Sequence, residues 1–205
     1  WALIERGRQE ELLDQPRQED LIEQMCQGLA AHRATGAEVL CPHFLALLAQ
    51  ALGKNGRADE AFHLLEEALL MADANGERCY KAELYRAKGE MLVLKSAHRG
   101  RSRAATSGMV AIESESLAVA QAEECFHQSI KLAERQGARS WELRAAMSLA
   151  RLYQNQGKQR EARAMLDRIY TQFTEGFDTK DLQEAKALLD ELSKSSAGMS
   201  GRCLT

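Results

Sequence analysis

The chain has 205 residues, 45% of them hydrophobic and 28% charged, with only two prolines and a formal net charge of -3. That composition excludes a disordered chain, leaves room for one or two folded domains, and supplies no general attraction to nucleic acid. No apolar run approaches the roughly 20 residues that a membrane-spanning helix needs, and the start carries no basic-then-apolar leader.

In chain order, "WALIERG" opens mid-pattern at Trp1, as the first helix of a unit in a longer protein would. "LLDQPRQED" (12–20) lengthens the turn that follows, and "LIEQMCQGLAAHRATG" (21–36) reads as the second helix. In "CPH" (41–43), Pro42 opens the next helix at its first turn, where a missing N–H costs nothing. The segment "FLALLAQALGKNGRADEAFHLLEEAL" (44–69) repeats its apolar residues at spacings of three and four, the signature of helices. A third unit begins with "YKAELYRAKGEMLVL" (80–94) and resumes with "LAVAQAEECFHQSIKLAERQG" (117–137). Between its halves lies "KSAHRGRSRAATSGMVAIESES", so residues 95–116 are expected to form an inserted surface loop. "SWELRAAMSLARLYQNQGKQREARAML" (140–166) is a fourth copy. The array then closes with a capping helix over 178–192, started by Asp178 or Thr179 and striped by Leu182, Ala185, Leu189 and Leu192. Residues 193–205 have turn-forming composition and are expected to be a disordered tail.

Internal repetition decides what these elements are for. Segments 44–69 and 145–170 align without a gap at an offset of 101, placing Ala49 on Ala150, Gly56 on Gly157, Ala61 on Ala162 and Leu65 on Leu166. Gly89 lies 40 residues after Ala49, Ala122 lies 40 before Ala162, and the split copy absorbs an insertion of 21. The connecting turns "TGAEVL", "NGERCY" and "QGARSW" keep the same register, with glycines at 36, 76 and 137. One helical hairpin cannot bury its apolar face alone, so such units stack. Small residues at 49, 89 and 150, and at 61, 122 and 162, admit close helix approach, and bulky Leu52, Leu92 and Tyr153 precede the turns. This order resembles the tetratricopeptide repeat with longer helices. The expected fold is therefore all-α, a right-handed superhelix of antiparallel helix pairs (a TPR-like α-solenoid) with a C-terminal capping helix. Its domain spans 1–192, in units of about 1–36, 37–76, 77–137 and 138–176.

The phrases "GLAAHRATGAEVL", "SWELRAAMSLARLYQNQGK" and "TEGFDTKDLQEAKALLDEL" carry a more particular likeness. They resemble the C-terminal tetratricopeptide region of large bacterial signalling proteins. There, a class III adenylate/guanylate cyclase or a DNA-binding domain precedes a signal-transduction ATPase module and then the repeats. The resemblance runs from Trp1 to about Leu192. It implies a cytoplasmic regulatory module whose partners are proteins, peptides or other domains of a parent chain.

Chemistry-bearing motifs are few. GxxxxGK[ST], GxSxG and HExxH do not occur, so no catalytic residue, cofactor or metal ligand is assigned. The five cysteines, 26, 41, 79, 125 and 203, are odd in number and never spaced CxxC, which fits small buried apolar side chains in a reducing compartment. Cys41 and His43 lie close but have no second ligand pair for a metal. The basic run Lys95, Arg99, Arg101 and Arg103 suits phosphate, which gives a first alternative: a HEAT-like scaffold touching nucleic acid or phosphate through 95–103. A second alternative is a fragment of a cyclase or ATPase with its catalytic domains upstream. The leading expectation is a non-catalytic interaction module. By resemblance to other tetratricopeptide arrays, its partner-facing groove is lined by first-helix residues: His43, Gln50 and Lys54, then Glu83, Arg86 and Glu90, then Arg144, Arg151, Gln154 and Asn155. That set is polar and mixed in charge, suited to a peptide and not to a lipid. Solvated helix faces are the plainer reading of the same residues.

Overall fold

The computed structural model describes residues 15–102 and 108–199, with side chains over 18–97 and 115–194. Eight helices and no strand occur among the described residues. They are α1 (Gln15–Ala34), α2 (Cys41–Lys54), α3 (Ala58–Ala74), α4 (Lys81–Ser102), α5 (Gly108–Gln136), α6 (Arg139–Asn155), α7 (Gln159–Tyr170) and α8 (Lys180–Met199). "WALIERG" lies outside the described residues. The chain forms two compact units that meet in sequence between Cys125 and Phe126.

The turns show why the hairpins recur. Pro42 occupies the first turn of α2, as its fixed φ favours. After α2, Gly56 takes φ 80°, the N–H of Arg57 reaches the Leu52 carbonyl at 2.9 Å, and the N–H of Gly56 reaches Gly53 at 3.2 Å. The sister turn after α6 repeats this pattern with Gly157 at φ 78° and Lys158 bonded to Tyr153 at 2.8 Å. This is the double-bonded helix stop that needs a left-handed residue, and a Cβ there would strain the backbone.

In the first unit, α3 packs on both α2 and α4, and α2 touches α1 and α4. The core centres on Phe44, Leu45, Leu48, Leu65, Leu84 and Met91. Ala49, Ala61 and Ala122 are wholly buried and Gly89 is buried, as the repeat register requires. Gly53 adds a close approach that the register did not single out: a Cβ there would lie 2.4 Å from Met91 Sδ. In the second unit, α7 packs between α6 and α8 around Leu143, Ala150, Ala162, Leu166, Ile169 and Leu192.

Three expectations are corrected. Residues 95–116 are not a loop through most of their length: α4 runs on to Ser102 and α5 starts at Gly108, with 103–107 outside the described residues. The stretch has no proline, and Lys, Arg, Ala, Met and Glu favour helix, so the cost of about 1 kcal/mol for Gly100 inside α4 does not stop it. Residues 15–20 of the supposed lengthened first turn belong to α1. The tail from 193 is helical as far as Met199, since Lys, Ser and Ala carry no stop signal, and 200–205 lie outside the described residues. At the start of α8, Thr179 takes the boundary place: its carbonyl accepts the Gln183 N–H at 3.0 Å. Its hydroxyl does not cap the helix but donates back to the Gly176 carbonyl at 2.7 Å.

Candidate functional site

Spacings of seven and eleven put His43, Gln50 and Lys54 on one face of α2, and a spacing of seven does the same for Glu83 and Glu90 on α4. α2 and α4 are in contact, so the two rows are neighbours in the first unit. His43 stacks its ring on Tyr80, centroids 4.4 Å apart. Tyr80 was absent from the sequence-based set because it lies in the turn before α4, and only its place one repeat after Leu40 marked it. Burial pushes its phenol above the ordinary range.

Further along α4, Arg86 donates from Nε and Nη2 to the two carboxylate oxygens of Glu83, at 2.8 and 2.6 Å, and from Nη1 to Glu90. Arg86 and Glu83 are each 6% exposed. A two-pronged pair of this kind fixes both side chains and satisfies charges that could not otherwise be buried. Arg86 is thus an internal brace that sets two carboxylates along the face. Gln50 differs. Its register mates Glu90 and Arg151 are ion-paired, whereas its amide Nε2 is buried with no hydrogen-bond partner among the described residues.

In the second unit, the α6 residues reach toward α8. Arg144 lies 3.9 Å from Asp181, Arg151 lies 3.7 Å from Glu184, and Gln154 donates to Glu191 at 2.8 Å. Asn155 is exposed at the end of α6. The sequence marks only the apolar stripe of α8 and not these three carboxylates. Their role as partners of α6 was hidden because the sequence does not show which flank of a capping helix meets its neighbour.

Lys95, the first residue of the basic run, is committed elsewhere. Its ammonium is 2.6 Å from Asp59 and lies 4.7 Å over the Phe62 ring, which Lys88 also approaches at 5.1 Å. The side chains of Arg99, Arg101 and Arg103 lie outside the described residues. Cys41 is 1% exposed, its thiol is directed at the Ala37 carbonyl 3.5 Å away, and burial raises its pKa above the usual thiol range. A thiol held protonated is a poor nucleophile and a poor metal ligand.

No family model matches the chain, and no curated protein matches it. Solved structures do. A Podosopora anserina kinesin-light-chain-like protein with nearly identical TPR-like repeats superposes with a TM-score of 0.61 at 18% identity, over 98% of this chain and 88% of that one. BtubC (BKLC) from P. vanneervenii superposes with a TM-score of 0.53 at 17% identity, over 100% of this chain and 91% of that one. The fold is a TPR-like α-solenoid. Among the described residues, no helix is long and apolar enough to cross a membrane.

Proposed function

We propose that the chain is a non-catalytic protein-interaction module that binds an extended peptide on the polar face of its first helices, through His43, Gln50, Lys54 and Glu90, with Glu83 and Arg86 bracing that face from within. In the second unit, considered by itself, Arg144, Arg151, Gln154 and Asn155 are the corresponding first-helix residues. The observation that carries this reading is Gln50. Leaving a buried amide without a partner costs about 1–3 kcal/mol, whereas its register mates are satisfied internally. A small turn of the side chain presents the amide to a partner's backbone, which offers both a carbonyl and an N–H. The partly exposed carboxylate of Glu90 then favours a peptide with a basic residue.

The wider reading is a regulatory region of a bacterial signalling ATPase or cyclase, working in the cytoplasm. It rests on the resemblance carried by "GLAAHRATGAEVL" and "TEGFDTKDLQEAKALLDEL". The test is selection of displayed random peptides on the full chain. Enriched peptides should lose at least about tenfold in affinity to Gln50→Ala, the scale of one hydrogen bond. Failure to enrich any peptide, or equal binding by Gln50→Ala, would reject the assignment.

A further inference from the structure

The first inter-helix turn, between α1 and α2, contains a peptide plane held at both ends by side chains from outside the turn. The Val39 carbonyl accepts from His32 Nε2 at 2.9 Å; a carbonyl only accepts, so the ring carries the proton there. The N–H of the same peptide, at Leu40, donates to Glu77 Oε1 at 2.9 Å. His32 belongs to the last turn of α1, and Glu77 to the turn after α3. Leu40 has φ 67°, the one positive φ at a non-glycine among the described residues. A leucine there crowds its Cβ against its own carbonyl.

The turn itself does not demand that conformation. Tyr80 holds the equivalent place one repeat later with the same bonds around it. Leu84 N–H bonds to the Tyr80 carbonyl as Phe44 N–H bonds to that of Leu40, both at 3.0 Å, and Lys81 bonds to Arg78 as Cys41 bonds to Glu38. Tyr80 achieves this without a positive φ. Among the described residues, Glu77 also leaves its second oxygen buried without a hydrogen-bond partner. Two unfavourable features therefore converge on one peptide.

We propose that the Val39–Leu40 peptide is a clamped plane: His32 and Glu77 hold it in a strained orientation, and losing the clamp lets it rotate to the relaxed form seen at Tyr80. The inference does not depend on the partner-binding reading. Rotation turns the Val39 carbonyl and the Leu40 N–H away from His32 and Glu77 and takes Leu40 out of positive φ, while the Phe44 N–H keeps its bond to the Leu40 carbonyl, as Leu84 keeps its bond to Tyr80.

The stability of the full chain in urea reports this through Leu40→Gly. With Glu77 in place the change relieves a positive φ, which glycine takes without cost; in Glu77→Ala the peptide has already relaxed and there is no such strain to relieve. Leu40→Gly should therefore act on the folding constant at least about fivefold more favourably with Glu77 than in Glu77→Ala. If Glu77→Ala does not fold, Glu77→Asp, one methylene too short, is read in its place. An equal effect of Leu40→Gly in both backgrounds would overturn the clamp and leave an ordinary hydrogen bond.

Discussion

Ala150 and Ala162 have no exposed surface, and each sits where one helix of the second unit crosses another. Leucine adds three carbons at a contact with no room for them. Either change should therefore cost roughly 1–3 kcal/mol, read as a fall in the urea midpoint at constant slope. An unchanged midpoint would mean that the repeat register is misplaced. Gly157→Ala should cost about 1 kcal/mol for a different reason, since the strain is in its own backbone at φ 78°. The cysteines separate by environment. Cys79 is exposed in a turn, while Cys41 is buried with a raised pKa. Iodoacetamide should alkylate Cys79 well before Cys41, as peptide mass spectrometry would show; prior labelling of Cys41 would contradict the packing of the first turn.

Helix α4 shows how an element can be legible on one side and not the other. Its apolar positions, Leu84, Ala87, Met91 and Leu92, were readable because they recur at helical spacing, and Leu92 matches Leu52 one unit earlier as Gly89 matches Ala49. The polar positions Glu83, Arg86 and Glu90 were placed on a common face, but not their mutual pairing, which depends on side-chain conformation and burial that spacing does not reveal. The ends of elements were the weak point. Ser and Gly in 95–102 and 193–199 suggested loop, yet neither stretch contains a proline or any other firm stop, and α4 and α8 continued. Arg86→Ala strands the Glu83 carboxylate at 6% exposure and should cost about 3 kcal/mol in denaturant unfolding. The triple change Glu83→Gln, Arg86→Met, Glu90→Gln removes all three charges together and should cost less than the single one. A triple variant less stable than Arg86→Ala would show that the ion pair itself stabilises the unit.

Across the whole chain, one physical pattern recurs in both units. Small residues at matched register positions let helices pack closely, left-handed glycines stop them, and the first helices carry a polar row. The apolar half of that pattern explains the fold, which is like that of TPR-like structures at under 20% identity. The polar half is the proposed recognition face, occupied by a peptide. The most direct measurement is an amide and side-chain NMR footprint of a selected peptide on the full chain. The account predicts perturbations concentrated at His43, Gln50, Glu83 and Glu90, with the Gln50 side-chain amide moving most. A footprint confined to the exposed flank of α3, around His63, Glu67 and Leu70, would contradict it.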